Sequence, residues 1–477
     1  MASLIPDNSA EFSLSEVAAS SLGSLVGKDA MCRGVSTDSR ADLQGRLFVA
    51  LRGERFDGHD FAQQALASGA AGVVLERDVA GLSAGFVRVG STLAALGALA
   101  ALHRKRWGGQ IVAVAGSAGK TTTRSAITAV LSALAPGRVH FAAGNLNNLI
   151  GVPMVLFGLR DEHRLGVVEI GTNAPGEVSA LAHISAPNLA VLTMIGLEHS
   201  EGLGDLDGVE REEGDLWAGL TKMGVAQLNA DDERVQRTAR AVPGERSVSY
   251  GYRAGANYRL RARTPNALGG ARLDIERRGP FAEDSITLET PLLGEAGAYA
   301  TLAALAVGEW ACQAALDPER VSSALTQAGE SGRLTPIELA DGTVVLDDSY
   351  NSNPASVKSS LATAREIARA RGARLVLALG EMLELGALSA AQHAEVGQWL
   401  GACGAAVLVA VSGDAERFVA PARLAGVDAC FAENSEQALD LLLARLEAKD
   451  VVLVKASRGV RAERLVRGLL DAKGRVA

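Results

Sequence analysis

The sequence predicts an α/β protein of three domains, and three observations carry that prediction. The chain has 477 residues, too long for one ordinary hydrophobic core. Short β-branched runs recur with helix-length stretches between them, the pattern of a mostly parallel sheet. One run, IVAVA at 111–115, turns through Gly116-Ser117-Ala118-Gly119 into Lys120-Thr121-Thr122-Thr123 and a helix-prone segment, the strand-loop-helix order of a phosphate-binding loop.

Taken in order, the first domain runs from residue 1 to about 90. Leucine and alanine spacing from Ser91 to Trp107 predicts a helix leading into the phosphate-loop strand. A central domain, 91–330, follows, with IVAVAG, LGVVEIG, LAVLTMIG and GVAQLNADD as strands. Shorter alternating runs rich in Arg, Thr and Gly, from Ser247 to Leu293, predict antiparallel strands appended to this sheet. A last domain, 331–477, alternates again through TVVLDDS, RLVLALG, AAVLVAVSG and DVVLVKAS, a smaller Rossmann-like unit. It has no G-x-G-x-x-G, so dinucleotide binding is not indicated.

Composition excludes several classes. A net charge of −8 and 4% aromatic residues argue against a nucleic-acid or anionic-membrane surface. The apolar stretch 93–102 is far shorter than the roughly 20 residues a membrane span needs. MASLIPDNSAEFSL has no continuous apolar segment of a secretory signal. Cys32, Cys312, Cys403 and Cys430 show no C-x-x-C spacing, so neither disulfides nor a zinc knuckle is expected, and a reducing cytoplasm is the expected location.

The glycine loop has a specific chemistry. Gly116, Ser117, Ala118 and Gly119 let successive backbone N–H groups converge on one anion, and the following helix adds its positive end. Lys120 would reach the terminal phosphates of a nucleotide and Thr121 would offer a hydroxyl to Mg²⁺, with Thr122 beside it. Val114 stands where the longer form of the motif has its first glycine, so the match is G-x-x-G-K-T. The other strands of the central domain also end in polar residues, where open α/β sheets place ligands. Glu169 and then His199, within Glu198-His199-Ser200, lie at such ends and are metal candidates. Asn145, Asn147 and Asn148 sit in GNLNNLIGVP, either as ligand contacts or as a turn tolerant of left-handed backbone. Asn229-Ala230-Asp231-Asp232 makes a similar cluster facing an adenosine.

With these residues assembled, the chain resembles the Mur ligases, ATP-dependent amide-forming enzymes of peptidoglycan synthesis, over nearly its full length. Asp347-Asp348-Ser349-Tyr350-Asn351-Ser352-Asn353-Pro354 is similar to the D-D-S-Y-N-A-N-P motif of members that add D-alanyl-D-alanine to a UDP-N-acetylmuramoyl-tripeptide. GEMLELG at 380–386 and GNLNNLIGVP resemble other motifs of the same members. Ser36-Thr37-Asp38-Ser39-Arg40 and LFVALRGERFDGHDF resemble the family's uridine-nucleotide-binding region, and Lys455-Ala456-Ser457-Arg458-Gly459 its K-G-S-R-G segment. The resemblance implies that ATP phosphorylates the tripeptide carboxylate and that the dipeptide amine attacks the acyl phosphate. It implies Thr121 and Glu169 on one Mg²⁺ and His199 on a second, and Asn229, Arg333 and Asp348 around the nucleotide. Ser36, Asp38, Ser39, Arg40, Asn145, Asn147, Tyr350, Asn351 and Asn353 are the substrate-binding candidates, and a monomer is the expected state.

Two departures from the family pattern stand out. Where the family has a lysine that takes up CO₂ to form a carbamate, this chain has Glu213. Glutamate supplies a carboxylate without CO₂ and is expected to support the second Mg²⁺, with Lys120, His199 and Arg333 as its catalytic companions. The bland alternative is that Glu210, Glu212 and Glu213 form a solvated acidic helix face. In the second departure, G-x-H-N-x-x-N is replaced by Gly294-Glu295-Ala296-Gly297-Ala298-Tyr299-Ala300, so the asparagine near the adenine is missing and Tyr299 is the candidate to pack there. Two other functions compete: a Mur-type or folylpolyglutamate-type ligase using another amine, against which SYNSNP and GNLNN argue, and a nucleotide-binding scaffold on a decayed ligase fold, against which Lys120, Thr121, Glu169, His199 and Arg333 argue.

Overall fold

The computed structural model describes residues 6–53, 56–82, 84–267 and 269–475. Glu54 and Arg55, inside the stretch read as uridine-binding, lie outside the described residues. Three separate main sheets divide the chain. The first has five strands in the order Ser24–Val26, Phe86–Arg88, Gly72–Leu75, Leu47–Val49 and Val35–Ser36. Only the Ser24–Val26 pairing is antiparallel.

The second sheet has nine strands. At its centre Gln110–Ala115 lies between Leu165–Glu169 and Leu189–Leu192, parallel to both. Strands buried on both faces read as continuous apolar runs, because successive side chains go to opposite cores. Ile111, Ala113 and Ala115 enter one core, which they share with Phe12, Leu14, Leu96 and Leu99 of the first domain and the Thr92–Trp107 helix. Val112 and Val114 enter the other, against the Lys120–Leu134 and Gly294–Cys312 helices. That last helix is rich in small residues, and Gly308 explains one of them: a Cβ there would stand 2.9 Å from Val130 and 2.7 Å from Leu316.

The appended strands are antiparallel as expected over Tyr258–Pro265, Ala271–Arg278 and Glu283–Thr290. Ser247–Gly251 departs from that expectation. It is parallel to Val225–Asn229, because the chain returns to it through the Glu233–Thr238 helix rather than a hairpin.

The third sheet has six strands, ordered Thr335–Glu338, Val344–Asp348, Val451–Lys455, Leu375–Gly380, Val407–Val411 and Asp428–Ala432. The first is antiparallel and the rest are parallel. All four cysteines are free. Among the described residues no helix is long and apolar enough to cross a membrane.

Candidate active site

The central strand ends at Ala115 and the chain turns at once. Gly116 has φ 124°, and a Cβ on it would stand 2.2 Å from Thr193 Oγ1, so glycine is required. Gly119, at φ 81°, caps the Lys120–Leu134 helix in open space. The neighbouring strand exit braces the loop: Ser117 N donates to Met194 O at 2.8 Å, Thr193 Oγ1 to Ala118 O at 2.7 Å, and Gly196 N to Ser117 Oγ at 2.9 Å. Lys120 Nζ folds back on Gly116 O at 2.5 Å and lies 3.7 Å from Glu198 Oε1.

The loop opens into a cavity of 1380 Å³ between the central and last domains. Its wall includes Ser117, Ala118, Gly119, Lys120, Thr121, Thr122, Asn145, Asn147, Asn148, Glu169, His199 and Asn229 from the central domain. Arg333, Asp348, Tyr350, Asn351 and Asn353 complete it from the other side. Gly116 and Glu213 lie behind the wall. Ser36, Asp38, Ser39 and Arg40 are not brought to this cavity. They sit at the end of Val35–Ser36 in the first domain, where Asp38 receives the Arg40 guanidinium at 2.9 Å and that bond holds its carboxyl below the ordinary value.

The three glutamates of the Leu206–Gly214 helix separate. Glu210 pairs at the surface with Arg234 and Arg237. Glu212 is buried, accepting from Gly176 N at 2.6 Å, Val178 N at 2.8 Å and Thr172 Oγ1 at 3.1 Å, so it holds the 172–178 turn. Glu213 is 0% exposed, so a solvated acidic face does not form. Neither of its oxygens, nor Glu198 Oε1, meets a hydrogen-bond donor. Burial pushes the Glu213 carboxyl up to about 8; Lys120 opposes the shift and neighbouring Glu198 adds to it. Burial also raises Glu198, against Lys120 and His199. Lys120 is itself held above its ordinary value: burial works against its charge, and Glu198, Glu213 and Glu169 outweigh burial.

Buried carboxylate oxygens without donors are a costly arrangement for a protein alone and a suitable one for a cation. Among the described residues no three His, Cys, Asp or Glu side chains form a ready-made metal cluster. Mg²⁺ does not require one, since it keeps waters and takes one or two carboxylates plus phosphate oxygens rather than an all-protein cage. Glu169 is already engaged: Arg124 Nε stands 3.2 Å from its Oε2, and Asn147 Nδ2 donates to its Oε1 at 3.0 Å.

Other candidates turn out to brace the wall. Asn148 Oδ1 accepts from Ile150 N and Gly151 N at 3.1 and 2.8 Å, starting the Gly151–Phe157 helix. Asn229 Nδ2 donates to Thr193 O at 3.0 Å. Asn353 caps the Pro354–Arg371 helix and reaches Ser117 O at 3.3 Å, joining the two domains at the glycine loop. Asp348 pairs with buried Lys455 at 2.7 Å. Burial pulls the Lys455 amine below its ordinary value, against that pairing. Tyr299 lies edge-on to Tyr250 and Tyr252 with ring centroids 6.3 and 6.1 Å away, and its hydroxyl donates to Asp231 at 2.9 Å. Reading the sequence missed Glu198, Arg124 and Glu384 as members of this site. Glu198 alone carried a local signal, adjacency to His199.

Three domain models match in sequence: the Mur ligase family catalytic domain over 32–104, the Mur ligase middle domain over 114–308, and the Mur ligase glutamate ligase domain over 332–458. The UDP-N-acetylmuramoyl-tripeptide–D-alanyl-D-alanine ligase of Escherichia coli (strain K12) is 35% identical over 450 residues, covering 94% of this chain and 96% of the relative. The chain belongs to the Mur ligase family. Among solved Mur ligases, a MurF from Acinetobacter baumannii superposes with a TM-score of 0.84 at 28% identity, covering 98% of this chain and 100% of that one. A MurF from Thermotoga maritima, solved with ADP, gives 0.77 at 24% identity, covering 92% and 97%, a likeness of fold. This Mur ligase therefore carries the family's three-domain α/β architecture across nearly its whole length.

Proposed function

We propose that this chain is an ATP-dependent amide-forming ligase that joins D-alanyl-D-alanine to UDP-N-acetylmuramoyl-tripeptide through an acyl phosphate, making a pentapeptide precursor of peptidoglycan. The observation that carries this reading is a single cavity with the phosphate loop on one wall and the DDSYNSNP segment on the other. Residues 1–90 serve as the UDP-substrate domain, 91–330 as the ATP domain and 331–477 as the acceptor domain. Ser36, Asp38, Ser39 and Arg40 would hold the uridine nucleotide. We place the enzyme in the cytoplasm as a monomer that binds no nucleic acid.

The chemistry follows from the residues. A carboxylate is a poor acyl donor until one of its oxygens becomes part of a phosphate leaving group. Transfer of the terminal phosphoryl group of ATP to the tripeptide carboxylate gives the acyl phosphate and ADP. The dipeptide amine then attacks the acyl carbon, the amide forms, phosphate leaves and the amine gives up a proton. Negative charge on the transferring oxygens is met by the N–H groups of 116–119, the helix N-terminus, Lys120 and Arg333. Mg²⁺ would neutralise the same oxygens, with Thr121 and Glu169 at one position and His199 and Glu213 at a second. Glu213 would supply a carboxylate where relatives make one from lysine and CO₂, and because burial holds its carboxyl up at about 8 it would ionise as Mg²⁺ binds. Phosphate release should require ATP, the tripeptide precursor and D-alanyl-D-alanine together. Equal release with a different amine, or none with any, would sink the proposal.

A further inference from the structure

Six lysine and arginine side chains line the cavity: Lys120, Arg263, Arg333, Lys358, Lys455 and Arg458. Three already have carboxylate partners. Lys120 faces Glu198, Arg263 grips Glu366 through both guanidinium nitrogens at 2.6–3.0 Å, and Lys455 bonds Asp348. Lys358 rests on the Trp399 ring. Arg333 and Arg458 have no carboxylate partner among the described residues, and both lie over one ring, Tyr350, at 4.1 and 4.7 Å from its centroid. Two guanidiniums held on one aromatic ring concentrate positive charge that an anion would offset. An aromatic face orients a guanidinium while leaving its N–H edge free, the presentation that takes a carboxylate through two parallel hydrogen bonds.

The two arginines occupy different places. Arg333 follows the segment joining the central and last domains, and it acts electrostatically on Lys120 and Glu330 beside the phosphate loop. Arg458 lies past the end of Val451–Lys455 in the last domain. Its position is fixed by Ser457, whose Oγ donates to Ser352 O at 3.2 Å and accepts from Leu383 N at 2.9 Å. The residue after Leu383 is Glu384, which touches His199 at the phosphate side. Arg458 is thus tied to the loop that meets the phosphate site, but stands on the opposing wall.

We infer that Arg458, seated on Tyr350, binds the C-terminal carboxylate of the acceptor dipeptide. This rests on the ligase reading above and goes beyond it by assigning the acceptor's anchor. A dipeptide spans about 7 Å when extended. Its amine must meet the acyl carbon at the phosphate loop, and its carboxylate must lie away from the phosphate oxygens that would repel it. Of the cations on the last-domain wall, Lys455 is held by Asp348, Lys358 rests on Trp399 and Arg333 acts on Lys120, which leaves Arg458 on Tyr350 for that carboxylate.

The test compares D-alanyl-D-alanine with its C-terminal amide, in which the carboxylate is replaced and the amine kept, on wild type, Arg458→Ala and Arg458→Lys. Wild type should favour the acid over the amide on the order of 10- to 100-fold in kcat/KM, the value of a charge-assisted pair. Arg458→Ala should raise KM for the dipeptide by a similar factor, leave KM for ATP and the tripeptide within about twofold, and lose the preference for the acid. Arg458→Lys should fall between. If Arg458→Ala keeps the preference, or raises KM for ATP instead, the guanidinium serves a phosphate and the inference is wrong while the ligase reading stands. If wild type ligates neither acceptor, the ligase reading fails and takes this inference with it.

Discussion

His199 Nδ1 lies 2.7 Å from Glu384 Oε2, and both residues hold left-handed backbone, at φ 46° and 64°. One belongs to the central domain and the other to the last, and Ser200 Oγ donates to Leu385 O at 2.9 Å beside them. Non-glycine residues in this conformation cost free energy that surrounding structure must supply, and such strain gathers at functional sites. The pair fixes both the imidazole that faces Glu198 and the docking of the last domain.

Glu384→Ala is therefore expected to lower kcat and to expand the molecule in small-angle scattering. The pH behaviour follows from the His199 bond, which holds the Glu384 carboxyl below its ordinary 4.5. A depressed acid contributes stability above its unfolded value and loses it as pH falls through the folded one. Loosening should thus appear only in acid, below about 4.5, and be absent from Glu384→Ala. Expansion of equal size in both proteins would contradict this.

Glu213 gives the opposite sign. Its folded value, about 8, lies above the ordinary 4.5, so its contribution is fully present below about 4.5 and lost as pH rises toward 8. Metal-free wild type should melt at higher temperature at pH 6 than at pH 8, and Glu213→Gln should flatten that slope. Both Glu213→Gln and Glu213→Ala should weaken apparent Mg²⁺ affinity on the order of 10- to 100-fold, read by titration. Unchanged turnover and Mg²⁺ dependence in both variants would remove Glu213 from the site.

The sheet and its loop were legible because their signals are local. Ile111 to Ala115 alternate between two cores, and Gly116 to Thr121 carry phosphate chemistry within one turn. Glu213 could be singled out by its place in a family pattern, but its burial could not, since Glu210 and Glu212 differ from it only in which neighbours the fold supplies. Arg124 and Glu384 were illegible for the same reason: their partners are 45 and 206 residues away for the first and in another domain for the second. Ser247–Gly251 was read as antiparallel because alternation reports burial of one face and not strand direction.

Tyr299 stands where the family's adenine-side asparagine segment is missing, with Tyr250 and Tyr252 at its edges. An aromatic wall binds a purine by stacking and discriminates weakly between purines, whereas an amide reads ring edges. Tyr299→Ala should cost about 1–3 kcal/mol of ATP affinity. Tyr299→Phe keeps the ring, loses the bond to Asp231 and should cost less. Calorimetry with ATP and GTP checks both; an ATP affinity untouched by loss of the ring would place the base elsewhere.

Arg124 is buried on the phosphate-loop helix and binds three acceptors: Glu169 at 3.2 Å, Ala142 O and the Glu330 carboxylate. It thereby couples a candidate metal ligand to the segment that leads into the last domain. Arg124→Met strands two carboxylates, which typically costs about 3–5 kcal/mol. Adding Glu330→Gln should restore part of the loss, because one of the stranded charges is gone, and the two changes should be non-additive by about 0.5–3 kcal/mol. Mg²⁺ should also stabilise Arg124→Met more than wild type, since Glu169 is then free of its cation and a divalent ion replaces the missing charge. Urea unfolding with and without Mg²⁺ measures both effects. Strict additivity, or an equal Mg²⁺ response in the two proteins, would mean that Arg124 acts only as packing and that Glu169 and Glu330 are not coupled through it.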